Sequence, residues 1–272
     1  NSSQPAISDR LAALEERRKT PVFVRAARGV SLTNKGALLL RFAEQIVFVE
    51  EEIVSRVANE AEVDGLMRIG AAETIAQSWL PDFLQVLAQE FPRLILDLTV
   101  DISVNLREAL LTRQLDLALL MGPVSDYRIT NIPLPSFELA WLRRSGSDGA
   151  PDAPNTPVLS YSRNTRPYRE LVDELARRYG PGARVYASAS LSASIRMIAA
   201  GIGVGPFPLT LATEAIANGT IERFDPGWCP SPLAFTASFS AEPRNAIAER
   251  CAHIARTTAE TWHHASLGDQ ES

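Results

Sequence analysis

Cysteine and histidine are scarce in this chain, with two of the first and three of the second among 272 residues. Cys229 and Cys251 share no motif spacing, which argues against a disulfide framework or a zinc site and fits a reducing compartment. His253, His263 and His264 fall in or beyond the last expected helix, and none stands near a nucleophile in a recognisable pattern. There is no P-loop and no Gly-x-Ser-x-Gly elbow. Gly201-Ile202-Gly203-Val204-Gly205 has the look of a dinucleotide loop, but it follows a helix and enters a strand, whereas the fingerprint needs the reverse. No catalytic residue, metal ligand or cofactor is therefore expected. Long apolar runs are also missing: no stretch approaches the roughly 20 residues of a membrane span. The opening Asn1-Ser2-Ser3-Gln4 does not read as a signal peptide, so a cytoplasmic location is expected. The chain lacks an initiating Met and its first residues read as the interior of a domain, so earlier helices are expected to precede them.

What is present suits two or three globular domains: 46% hydrophobic and 22% charged residues. The formal net charge of -5 speaks against a nucleic-acid binder if taken whole. Its distribution reverses that impression. From Arg10 to Arg41 the basic residues outnumber Asp9, Glu15 and Glu16, whereas between 42 and 65 Arg56 stands alone among Glu44, Glu50, Glu51, Glu52, Glu60, Glu62 and Asp64. A basic head beside an acidic helix is a local electrostatic footprint.

Within the head, Ser3 caps a helix with Pro5 in its first turn, and Ile7, Leu11 and Leu14 line one apolar stripe. Val22-Phe23-Val24 and Val30-Ser31-Leu32 read as short strands around a basic tip at Arg25 and Arg28, with Gly29 in the turn, and Thr33 opens another helix. A helix followed by a basic two-stranded ribbon is the plan of a winged helix, whose helix N-terminus reads the major groove while the ribbon reaches phosphates or the minor groove.

These residues resemble a family. Ser3-Gln4-Pro5-Ala6-Ile7-Ser8, Leu14-Glu15, Pro21-Val22-Phe23-Val24-Arg25, Arg28-Gly29-Val30, Leu32-Thr33 and Gly36 match, in order and spacing, the head of LysR-type transcriptional regulators. The resemblance implies that Gln4, Pro5 and Ala6, beside Ser3, lie at the groove-reading end of the recognition helix. It also implies that Ser8, Arg25, Arg28 and Thr33 contact the DNA backbone or minor groove. Ordinary surface arginines are the plainer reading of Arg25 or Arg28 taken singly.

From about 34 to 63 the chain has no Pro, and Leu39, Phe42, Ile46, Val49 and Ile53 alternate three- and four-residue steps, a coiled-coil-like seam. A second chain is the simplest partner for it, although packing within its own domain would also cover the stripe. The resemblance favours a homodimer, or a homotetramer. Asp64-Gly65 is the expected helix end.

Beyond it, strands at 66–70, 94–100 and 115–120 alternate with helices, which predicts a parallel sheet with right-handed crossovers. A second strand–helix block follows, with strands at 139–142, 158–161, 185–187 and 204–207 and a surface loop at 145–157. A last helix from Arg244 returns to the first lobe. The expected architecture is α/β: a partial winged helix-turn-helix head (1–33), a long dimerising linker helix (34–65) and a two-lobed, periplasmic-binding-protein-like effector domain (66–272). Lobe one takes 66–136 and 240–272, and lobe two 137–239. Ile69-Gly70, Leu80-Pro81, Phe91-Pro92, Asp116-Leu117-Ala118 and Ala199-Ala200-Gly201-Ile202-Gly203-Val204 extend the resemblance into this body.

Ligands bind at strand carboxyl ends near helix N-termini. That places Ala72, Glu73 and Thr74, then Gly122 with Pro123, at one rim of the cleft. Ser160, Ser162, Ser190, Ser192 and Phe207 stand at the other. Relatives often carry serine where Ala72 stands, which removes a donor for a carboxylate effector. Glu73 either selects a ligand with a hydrogen-bond donor or faces solvent, and helix capping is the plainer reading of each hydroxyl. The function expected is regulation of transcription by a protein that binds double-stranded DNA and a small-molecule effector. The alternative is a solute-binding-type protein without a DNA function, and an enzyme is the rival class set aside.

Overall fold

The computed structural model describes residues 15, 20–26, 29–43, 46–47, 65–148, 150–151 and 156–268. The chain divides into two units, Asn1–Val63 and Asp64–Ser272. In the first, the ribbon forms as expected from β1 (Phe23–Ala26) and β2 (Gly29–Leu32), antiparallel with Phe23 opposite Leu32 and Ala26 opposite Gly29. Helix α1 spans 34–43. Thr33 caps it: its hydroxyl accepts from the Gly36 amide at 2.9 Å and donates to the Pro21 carbonyl at 2.9 Å. Gly36 is required here, because a Cβ would fall on the Val22 carbonyl oxygen. Glu15 ties the strand entry down by accepting from the Val22 amide at 2.7 Å and the Phe23 amide at 2.9 Å. The matched residues Glu15, Val22, Thr33 and Gly36 thus lock one another locally.

The expected recognition helix, with Ser3, Gln4, Pro5, Ala6 and Ser8, lies outside the described residues, as do Arg28 and the side chain of Arg25. Of the apolar seam, Leu39, Phe42 and Ile46 are exposed at 37%, 52% and 70%. Val49 and Ile53 lie outside the described residues. Gly65 already belongs to a strand, and the helical side of the expected Asp64-Gly65 boundary is outside them.

In the second unit, β3 (Gly65–Ala71) pairs in parallel with β4 (Leu94–Val100) and β5 (Leu117–Met121). Helices α2 (Glu73–Ala76) and α3 (Leu80–Glu90) connect β3 to β4, and α4 (Ser103–Leu111) connects β4 to β5. Leu80, Phe83 and Leu87 are the buried face of α3, as their three- and four-residue spacing requires. Asp116 sets the register beside β5: its carboxylate accepts from the Arg68 amide at 2.8 Å, and its amide donates to the Arg68 carbonyl at 2.9 Å.

The sheet is mixed rather than wholly parallel. Its order is β4-β3-β5-β12-β6, with β6 (Ile129–Pro133) and β12 (Phe235–Ser240) antiparallel. The expected boundary between 239 and 240 therefore needs correction, since it cuts through a strand of the first lobe. Phe235-Thr-Ala-Ser-Phe-Ser240 reads as polar, yet Thr236 and Ser238 are buried. Their hydroxyls meet at 2.8 Å, and Ser238 donates to Asn131 of β6 at 2.8 Å, which satisfies them inside the sheet.

Lobe two is smaller. Strand β7 (Leu139–Arg144) lies between β10 (Gly205–Pro208) and β11 (Ile221–Phe224), while β8 (Val158–Ser160) runs parallel to β9 (Val185–Ala187). Helices α5 (Arg166–Tyr179), α6 (Leu191–Ala199) and α7 (Thr213–Ala217) belong to it. Two antiparallel segments pass between the lobes, zipped by Phe137 and Leu233 exchanging both backbone hydrogen bonds, at 3.0 and 2.9 Å. Helix α8 (Ala246–Gly268) returns to lobe one as expected, where Arg250 meets Glu90 of α3 at 2.5 Å and Trp262 packs on Phe137.

Candidate functional site

The strand ends and helix starts of both lobes converge on one cleft of about 830 Å³. Its lobe-one wall carries Ala72, Glu73 and Thr74 after β3, Asp101, Ser103 and Arg107 around the start of α4, and Gly122-Pro123 after β5. Its lobe-two wall carries Tyr161 and Ser162 after β8, Arg166 and Arg169 at the start of α5, and Ser188, Ser190 and Leu191 ahead of and into α6. Of the residues singled out from the sequence, Ala72, Glu73, Thr74, Gly122, Ser162 and Ser190 meet here.

The other three do not stand in the cleft wall. Ser160 is fully buried on β8, a strand covered along its whole length. Phe207 is fully buried too, its ring packed against that of Tyr161 at 5.4 Å, and the aromatics that line the cleft are Tyr161 and Phe235. Ser192 lies one step into α6 with its hydroxyl turned to that of Ser190, 3.2 Å away. Thr33, expected on DNA, uses its hydroxyl to cap α1.

Local chemistry explains the positions that remain. Gly122 lies against β12, where a Cβ would overlap the Thr236 side chain. The segment beyond Gly122-Pro123 is held by Asn131, which accepts from the Val124 amide at 2.9 Å and donates to the Val124 carbonyl at 3.1 Å. Ser103 accepts from the Met121 amide at 2.9 Å and so joins the start of α4 to the end of β5. Asp101 accepts from the Ile102 amide at 2.6 Å and from Asn105. Ser190 caps α6, accepting from the Ala193 amide at 3.3 Å.

Glu73 is half-buried at the cleft, and its carboxylate is paired. It reaches lobe two, accepting from the Leu191 amide at 2.7 Å and the Ser190 hydroxyl at 3.2 Å, with Gln77 of its own lobe donating at 2.6 Å. Helix α2 has only four residues, and Thr74 is buried at its start beside the cleft. The longer helices α4, α5 and α6 each bring a start to the cleft. Burial pushes the Tyr161 phenol far above its ordinary value, which keeps it a neutral donor, here to the Pro206 carbonyl at 3.4 Å.

Sequence reasoning missed Arg107, Arg166 and Arg169, the cationic side of the cleft. Each sits on an amphipathic helix, where a surface arginine is ordinary. The signal available was their position in the first two turns of helices that follow strand ends. Among the described residues no group of three or more His, Cys, Asp or Glu could hold a metal, and no helix is long and apolar enough to cross a membrane.

Comparison with known proteins places these features. A family model described as "Bacterial regulatory helix-turn-helix protein, lysR family" matches residues 1–37, and one described as "LysR substrate binding domain" matches 60–259. The chain is 28% identical over 255 residues to the HTH-type transcriptional regulator DgdR of Burkholderia cepacia, covering 93% of this chain and 84% of that protein. Full-length LysG of Corynebacterium glutamicum, solved with bound effector Arg, is similar with a TM-score of 0.64 at 18% identity, over 95% of this chain and 89% of that one. An OxyR variant of the same organism, solved with bound hydrogen peroxide, is similar with a TM-score of 0.62 at 21% identity, over 98% of this chain and 89% of that one.

Proposed function

The chain belongs to the LysR family of bacterial helix-turn-helix regulators, and from that premise we propose that a small-molecule effector binds in the cleft between the two lobes and thereby changes how the protein engages DNA. The protein is a DNA-binding transcription regulator with an effector-binding domain. The observation that carries the cleft assignment is its construction: about 830 Å³, walled from both lobes, with helix starts and five charged side chains (Glu73, Asp101, Arg107, Arg166 and Arg169) around it. That size and mixed lining suit a metabolite.

The head (1–33) reads DNA, with Gln4 at the base edges and Arg28 on phosphate. The linker segment that begins with α1 pairs two chains through Leu39, Phe42 and Ile46, whose apolar side chains stand exposed on the single chain. The protein works in the cytoplasm, where its DNA is, and performs no catalysis. Effector chemistry is recognition by contacts rather than thiol redox. Burial pushes Cys229 up to about 11 and Cys251 up to about 12, so neither is a ready thiolate. Coupling arises because a ligand held by both walls binds one lobe arrangement more tightly than another, and paired heads feel the difference.

The test is a mobility shift on the DNA upstream of the protein's own gene, across salt concentrations, with a panel of small metabolites. A salt-steep shift that one metabolite alters is expected. A shift that no metabolite alters would remove the sensing role, and no shift under any condition would leave a ligand-binding protein without a DNA function.

A further inference from the structure

Helix α6 begins with amides that have no acceptor inside the helix, and such an N-terminus carries about half a positive charge. Beside a cleft it is a seat for a ligand's anionic group. In this chain the seat is occupied from within. The Leu191 amide donates to Glu73 Oε2 at 2.7 Å, while the Ser192 amide at 3.5 Å and the Ser190 hydroxyl at 3.2 Å point to Oε1. Gln77 donates to Oε1 at 2.6 Å from the next turn and steadies the carboxylate. Ser190 satisfies the Ala193 amide. Glu73 comes from the opposite lobe, yet Glu73, Ser190 and Leu191 all line the cleft.

The cationic side of the same cavity is differently placed. Arg107 rises from α4 and Arg169 from α5, and neither guanidinium forms a hydrogen bond or salt bridge among the described residues, although Arg107 acts electrostatically on Asp126. Arg166 has Glu170 at 3.4 Å on its own helix.

From the cleft reading above, we infer that Glu73 is a tethered anion that plugs the α6 N-terminus, and that it sets effector specificity. An effector cannot place its acidic group at α6. It places that group against Arg107 and Arg169 and brings a hydrogen-bond donor, an amine or hydroxyl, to the exposed side of the Glu73 carboxylate. The class of ligand is a small metabolite carrying both an anionic group and a donor. A plain dicarboxylate, which needs two anion seats, is discriminated against because the second seat is filled and a second negative charge there is repelled. The plug also ties the two lobes together across the cleft.

Inorganic sulfate is the probe, read by titration calorimetry and by amide hydrogen exchange over residues 190–193. In Glu73→Ala the vacated α6 start takes up sulfate about tenfold more tightly than the native protein does, and sulfate slows exchange at 190–193. In the native protein sulfate leaves exchange at 190–193 unchanged. The native measurement stands alone should the variant fold poorly: sulfate protection of 190–193 in the native protein means that the seat is open and overturns the plug. A folded Glu73→Ala whose 190–193 amides ignore sulfate overturns it as well. The cleft reading fails separately, if the metabolite that alters DNA binding leaves exchange unchanged throughout the cleft walls.

Discussion

Helices α1 and α6 both start at a hydroxyl residue, yet the amides behind the two caps are answered from different distances. At α1, Thr33 accepts from Gly36 and donates to Pro21, twelve positions back, and Glu15 secures the same strand entry through Val22 and Phe23. Every partner lies within the head. At α6, Ser190 accepts from Ala193, but Leu191 donates to Glu73, 118 positions earlier and in the facing lobe. The first arrangement closes on contacts within one unit of the chain. The second makes a helix start whose satisfaction depends on the cleft being closed. A regulator needs both, a reading head that does not deform and a sensing body whose contacts change with occupancy.

Adding a side chain at the two tightest glycines should separate the regions most sharply. Gly36→Val drives a Cβ into the Val22 carbonyl, and Gly122→Val drives one into Thr236. Each overpacking costs about 1–3 kcal/mol. Calorimetric unfolding and DNA affinity should respond oppositely in the two variants: Gly36→Val weakens DNA binding, whereas Gly122→Val lowers the melting temperature of the body. If both variants lowered the same transition, the head would not be an independent scaffold.

The caps themselves come next. Thr33→Val and Ser190→Ala each remove a side-chain acceptor from a helix start, at about 1 kcal/mol. Hydrogen exchange distinguishes them. Thr33→Val should speed exchange only near the start of α1. Ser190→Ala should also loosen the Glu73 contact and speed exchange in the short helix α2 across the cleft. Equal, purely local effects would mean that the α6 start does not depend on the opposite wall.

The smallest effect is expected from acid on the head. Donation from the Phe23 amide, then from Val22, holds the Glu15 carboxyl below its ordinary value of 4.5. A lowered carboxylate stabilises the fold above 4.5 and ceases to do so as pH falls through its value in the fold. Native protein should therefore outlast Glu15→Gln in head stability near neutrality, and the gap should close in acid. A gap that stayed constant with pH would show that charge at Glu15 has no part in it.

The head motifs were legible because their causes are local. Leu14-Glu15, Pro21-Val22, Thr33 and Gly36 are close enough in sequence for spacing to encode the contacts. The lobe-one strands were legible by their apolar runs, and Pro92 marked the end of α3. The return strand β12 escaped because its hydroxyls are satisfied by a partner strand more than a hundred residues away. Its loss from the reading turned a mixed sheet into a parallel one and shifted the lobe boundary. In the cleft, strand ends and helix starts identified Glu73, Gly122, Ser162 and Ser190. They also proposed Ser160 and Phe207, which stand near strand ends but are buried within strands covered on both faces. Arg107 and Arg169 carry only a weak local mark, their place in the first two turns of helices that follow strand ends. Only the approach of two lobes turns them toward one cavity.

The central claim, that occupancy of the cleft alters DNA engagement, is tested most directly by footprinting the native protein and an Arg107→Ala/Arg169→Ala variant on the DNA upstream of its gene. Both are measured with and without the metabolite found in the mobility-shift panel. The same footprint is expected for both proteins without metabolite, a changed footprint for the native protein with it, and no change for the variant. A variant that still responds in full would contradict the placement of the effector in this cleft.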